Sequence, residues 1–400
     1  REEVIIKDIF LRRVLDSRGN PTVEADITTS SSFGRAAAPA GASTGTHEAQ
    51  AWPEGGVAAA IELARQDLVP QLLGLSAEEQ AQVDTLLHEV DGTANFSRIG
   101  GNIAVAVSLA TARAAAASQG IPLYRYVAGM GPYELPAPMG NVLGGGAHAV
   151  GGTDIQEFLV TSFDDDVSRA IEANAMVHRA VGAALREHFP DTALGKGDEG
   201  AWVAPLENVA ALELVVEAAR RVAEETGVDI RPGMDLAASE FYHNGKYVYK
   251  DRSLTPEEQV NFVASLIEDY DLYSVEDPLD QEDFESWAAL TAKTKALVIG
   301  DDLYVTNVER LQKGLELGAT NAILIKPNQI GTLTDTLNTV ALAREAGLAT
   351  VISHRSGETN DDAIAHLGVA FGCHAIKTGT VGGERIAKLN ELVRIAGELT

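Results

Sequence analysis

Cysteine is almost missing from this sequence. Cys373 stands alone, so no internal disulfide can form, and a single thiol fits a reducing cytoplasm. Long apolar runs are missing too. The longest, Ile103 to Ala117, has 15 residues and includes Ser108 and Arg113. It is too short and too polar to span a bilayer and reads as a buried helix. No charged-then-apolar leader opens the chain, which points away from secretion and toward a cytoplasmic location. Lysine is scarce: 10 lysines stand beside 21 arginines, and 58 acidic residues leave a net charge of -27. Such an excess of acid repels nucleic acid phosphates and anionic lipid, so neither is an expected partner. Abundant acid with little lysine is expected of a high-salt cytoplasm, where ions screen the self-repulsion.

What is present is a globular composition, 45% hydrophobic and 22% charged. Four hundred residues exceed one ordinary core, so two domains or a capped barrel are expected. Val4 to Val14 and Pro21 to Thr29 read as strands around the turn Asp16-Ser-Arg-Gly-Asn20. Helical patterns follow over about Gly56 to Leu73, Ala77 to Val90 and Asn102 to Gln119. Strands first and helices after predict an α+β unit over residues 1–134. A Pro-rich joint, Leu135-Pro-Ala-Pro138, opens residues 135–400, where short apolar strands alternate with helices. Those strands lead to Asp235, Glu276, Asp301, Lys326, His354 and Lys377, at intervals of 23 to 41 residues. That rhythm over about 250 residues predicts a (β/α)8 barrel, whose chemistry sits where its strands end.

Asp235, Glu276 and Asp301 each follow an apolar strand. Neighbouring strands lie about 4.8 Å apart, so the three carboxylates are expected to converge. Converging anions are unfavourable without a cation, and an all-oxygen set selects a hard ion such as Mg2+. Any one of them read singly is as well explained as a helix cap. Asp277 and Asp302 have the weaker claims of second acids in their pairs. Lys326 ends a buried strand, where a nearby divalent ion would lower its pKa and free it to take a proton; pairing with a carboxylate is the plainer alternative. Lys377 is the same kind of case. Ser353-His-Arg-Ser-Gly357 offers the guanidinium, hydroxyl and turn amides that suit a phosphate or carboxylate. Gly41-Ala-Ser-Thr-Gly45 and the glycine-rich loop around His148 read equally as closing loops and as linkers. Glu199, in Gly197-Asp-Glu-Gly200, is a candidate proton donor if it lies opposite a base.

Taken together and in order, these segments resemble the enolase family, in its archaeal form, over nearly the whole chain. Asp16 to Glu24, Gly41 to Gly45, Asp91 to Asn95, His148 through Phe158, Gly197 to Gly200, Ser274 to Pro278, Lys326 to Thr332 and Ser353 to Thr359 carry the resemblance. It implies a Mg2+-dependent lyase that dehydrates 2-phosphoglycerate to phosphoenolpyruvate, acting as a homodimer or higher homo-oligomer. It further implies Lys326 as the base at C2, and Glu199 as the acid for the C3 hydroxyl with Glu157 beside it. Asp235, Glu276 and Asp301 would hold one Mg2+, and a second would arrive with substrate on Ser43. Arg355 and Ser356 would grip the phosphate, Lys377 the carboxylate, and His148 and His354 would close around the reacting end. Acid-sugar dehydratases share such a barrel and carboxylates but differ in their acid–base set. The sequence departs from the family at Lys196, usually apolar, and at Ala201-Trp-Val203.

The high-salt reading predicts that stability rises between low and molar potassium chloride, measured as thermal melts across a salt series. Melts that do not move with salt would remove it.

Overall fold

The computed structural model describes residues 3–400. Ile6–Leu15, Pro21–Thr29 and Phe33–Ala37 form an antiparallel meander. Val23, Ala25 and Ile27 alternate along one face with no exposure, so that face is core. The third strand was not expected. It is only five residues long, entered through the polar turn in which Thr29 and Ser32 bond each other.

Gly101–Ser118 packs against this sheet, buried nearly all round, as its mostly apolar composition suggests. No helix of the described residues is long and apolar enough to cross a membrane. The contact is closest at Gly34, where a Cβ would collide with the Ala110 carbonyl oxygen and the Ala114 nitrogen. The expected helix from Gly56 is interrupted: Gly56–Leu63 passes through a wide turn, Ala64–Leu68, into Val69–Leu72. Pro70 has no N–H to give there, which breaks the regular ladder.

The remainder is an eight-stranded closed barrel. Its strands are Ala137–Gly144, Glu157–Phe163, Asp229–Asp235, Ser274–Glu276, Leu297–Gly300, Ala322–Ile325, Ala349–Ser353 and Ala375–Lys377, and the last pairs back onto the first. Met139, Leu159, Ile299, Leu324 and Val351 fill its interior. Strict alternation holds only from the third strand. The first two strands form an antiparallel pair, followed by two long helices, Val167–His188 and Asn208–Thr226. The second strand runs against both neighbours and sets Glu157 opposite Asp235. A residue that begins its strand is thereby delivered to the end of the barrel where the other strands finish.

The meander domain sits over that end. Ala40 bridges to Gly357, Ser17 N–H donates to the Glu358 carbonyl at 2.7 Å, and Arg113 pairs with Asp361 and Asp362 at 2.8 Å each. Gly34→Ala is expected to destabilise the protein by about 1–3 kcal/mol through overpacking, read as a lower melting temperature. An unchanged melt would show that sheet and helix have room to separate.

Candidate active site

Register decides which side chains meet. Ser274, Val275 and Glu276 pair with Gly233, Met234 and Asp235, so the two acids leave adjacent strands at the same height. Carboxylate oxygens of Asp235, Glu276 and Glu157 all lie within 4.8 Å of one another. Asp301, just past the next strand, groups instead with Asp277 and Asp302. Lys377 Nζ lies 2.5 Å from Glu157, 3.1 Å from Asp235 and 2.9 Å from Glu276. Burial disfavours the Lys377 ammonium, but these three acids outweigh it and hold its pKa well above the ordinary lysine range. Burial, then neighbouring Asp235, pushes Glu276 well up. The donors are all oxygen, buried and convergent, which suits Mg2+.

Lys326 Nζ donates to Asp301 at 2.7 Å. Burial opposes its charge, yet Asp301 outweighs burial and raises the lysine pKa in this ion-free arrangement. A closed set of bonds holds the two residues. Gln329 donates to the other Asp301 oxygen at 2.9 Å, Thr306 donates to Gln329 at 2.7 Å, and the Lys326 backbone N–H donates to Thr306 at 3.0 Å. Thr306 and Val305 both have positive φ, 56° and 45°, a conformation that β-branched residues rarely adopt. Asp277, also at positive φ, accepts the backbone N–H groups of Asp301 and Asp302 at 2.9 and 2.8 Å. It thus fixes the turn that presents those acids.

On the other side Glu199 is enclosed by histidines. His148 Nδ1 is 2.9 Å from Oε1, and His354 Nε2 is 2.7 Å from Oε2. Burial would raise the Glu199 pKa, but His148 and His354 outweigh it and hold it well below the usual range. Burial and the Glu199 charge push Glu157 well above that range. In this ion-free arrangement Glu157 is thus pushed toward its protonated form and Glu199 toward its carboxylate. Asn141 bridges the two, donating to Glu157 at 3.1 Å and to Glu199 at 3.5 Å.

Arg355 is buried, and its guanidinium meets Glu48 at 2.9 and 3.2 Å and Asn328 at 2.8 Å. A Cβ at Gly41 would collide with this guanidinium, so a side chain there would force Arg355 to shift. The Ser356 hydroxyl accepts the Ala42 N–H. One narrow cleft is lined by Ser43, His148, Glu157, Glu199, Asp235, Asp301, Lys326, His354, Arg355, Ser356 and Lys377. Glu276 lies behind Lys377 and does not line it. Sequence reading assigned nothing to Glu48, Asn141, Thr306 or Gln329, whose roles depend on partners distant in the chain. Lys196 and Trp202, the two departures, explain each other: the ammonium lies 5.6 Å from the indole centroid, and Gly182 leaves room for that ring.

A capped barrel with carboxylates and lysines gathered where its strands end defines a class, the lyases that take a proton from beside a carboxylate. Family models sharpen this: the enolase N-terminal domain matches residues 6–127, and the enolase C-terminal TIM barrel domain matches residues 132–400. The chain belongs to the enolase family. It is 51% identical to an enolase of Methanosphaera stadtmanae over 99% of this chain and 97% of that one. It is 53% identical to an enolase of Halorubrum lacusprofundi, over 98% and 99% respectively.

Burial, more than the opposing pull of Glu199, lowers the His354 pKa to about 4 from 6.5. The folded protein thus binds this proton less readily than the unfolded chain. The contribution is complete above pH 6.5 and is lost as pH falls toward 4, about 3 kcal/mol in all. Denaturant melts should show this loss, and His354→Gln should flatten it. An equally steep acid loss in that variant would place the titration elsewhere.

Proposed function

We propose that the cavity performs the reversible dehydration of 2-phospho-D-glycerate to phosphoenolpyruvate, the hydro-lyase step of glycolysis and gluconeogenesis, with roles divided across the barrel. The reading is carried by one observation: Lys326 and the Glu157–Glu199 pair line the same narrow cleft. Lys326 follows the sixth strand and Glu157 opens the second, opposite positions in a ring of eight. Base and acid on opposite sides suit removal of a C2 proton and departure of a C3 hydroxyl.

Lys326 takes the C2 proton, and Asp301 governs when it is free to do so. Glu199 gives a proton to the C3 hydroxyl, which then leaves as water, with Glu157 beside it. Lys377 pairs with the substrate carboxylate, Arg355 and Ser356 hold the phosphate, and His148 and His354 close over the reacting end. Asp235, Glu276 and Asp301 would hold one Mg2+, and Ser43 a second that enters with substrate. When bound, these ions offset the further negative charge that C2 deprotonation places on an already anionic substrate. Residues 1–134 act as the cap and 135–400 as the catalytic barrel. The protein works in the cytoplasm as a homodimer or larger homo-oligomer, without nucleic acid partners.

Phosphoenolpyruvate formation, followed by ultraviolet absorbance, should require Mg2+ and stop with a chelator. Lys326→Ala should lower kcat by about 10^2- to 10^4-fold. Near-normal turnover in that variant would remove Lys326 from the role of base.

A further inference from the structure

Arg385 is a fully buried guanidinium that the reaction scheme does not use. It enters from the helix Gly383–Leu399, just beyond the last barrel strand. Nη1 donates to His354 Nδ1 at 2.8 Å and to the Arg355 carbonyl at 2.6 Å. Nη2 donates to the Asp198 carbonyl at 3.0 Å and to the Ser356 carbonyl at 2.6 Å, and Nε donates to Glu384 at 3.0 Å. One side chain thus joins the turn that carries Glu199 to the segment that carries His354, Arg355 and Ser356.

The contact with His354 has a definite chemical meaning. A guanidinium has only donors, so the ring nitrogen it meets must offer a lone pair. Nδ1 is therefore bare, and the hydrogen of a neutral ring resides on Nε2. Nε2 is the atom 2.7 Å from Glu199, a close approach that is not aligned as a full hydrogen bond. With the hydrogen on Nδ1 instead, a lone pair would face the carboxylate and repel it. We propose that Arg385 is a positioning residue for the acid side of the reaction, holding His354 as the Nε2–H tautomer so that Glu199 meets a ring N–H. His354 then remains neutral throughout and orients Glu199, neither giving nor taking a proton. The charged groups that act on the ring are Glu199, Arg385 and Lys377, and only the first favours its protonation.

This builds on the roles proposed for Lys326 and Glu199, and those roles make it testable. C2 hydrogen exchange with solvent needs only the base, whereas phosphoenolpyruvate formation needs the acid as well. At saturating substrate, Arg385→Lys and Arg385→Gln should slow phosphoenolpyruvate formation about 10- to 100-fold. Exchange of the C2 hydrogen of 2-phosphoglycerate in deuterated water should stay near that of the unmodified protein. Equal loss of both rates would assign Arg385 a purely structural part and overturn the proposal. The tautomer is read independently from nitrogen-15 spectra of histidine-labelled, unmodified protein, with His354 assigned by the signals missing in His354→Gln. A neutral Nε2–H ring is expected at neutral pH. An Nδ1–H ring or an imidazolium there overturns the proposal, whether or not the variants fold. Failure of the unmodified protein to turn over 2-phosphoglycerate would refute the functional reading alone, leaving the tautomer to decide this one.

Discussion

The site depends on one electrostatic constraint: several carboxylates are buried together at one end of a barrel. Glu157 and Glu276 have no exposure, and Asp235 has almost none. Left alone, such a cluster would take up protons or open the fold. Here Lys377 sits among three acids and Lys326 against a fourth. These two lysines are therefore the counterions that make the cluster tolerable without metal. A cation binding among these oxygens competes with ammonium groups already in place. Bound metal and lysine protonation are consequently coupled, and the raised pKa of Lys326 describes the ion-free side of that coupling.

Rigidity around the cluster follows from the same constraint. Charges gain from one another only when geometry is held, so each is fixed by bonds from behind. Asp277 ties down the backbone of Asp301 and Asp302, Thr306 and Gln329 close a ring on Lys326, and Asn141 spans Glu157 and Glu199. The non-glycine residues with positive φ at Ala237, Asp277, Val305 and Thr306 all lie just beyond barrel strands. At these four positions the backbone re-aims side chains over a short distance.

The pattern of the chain made much of this legible. Apolar runs ending in Asp235, Glu276, Asp301, Lys326, His354 and Lys377 placed six functional groups on one rim before any fold was known, because strand ends carry a local signature. The antiparallel second strand carried none. Glu157 begins its strand, and only the pairing with Asp235 brings it to the rim. Likewise Glu48 and Arg385 meet their partners across 307 and 31 residues, and neither contact leaves a mark on nearby sequence. A buried arginine that bonds carbonyl groups looks, in sequence, like any helical arginine.

Cap and barrel are not independent parts. Gly41 and Ser43 come from the cap, yet they line the same cavity as the barrel's lysines. The Asn328 amide donates to the Pro39 carbonyl at 3.1 Å while its oxygen accepts from Arg355 at 2.8 Å, so one residue reads both domains. Glu48, also from the cap, occupies the guanidinium assigned to the phosphate. An anion entering there must compete with a carboxylate already bidentate to Arg355. One guanidinium thus ties a cap carboxylate to a barrel loop, and the cavity that it lines is built from both domains.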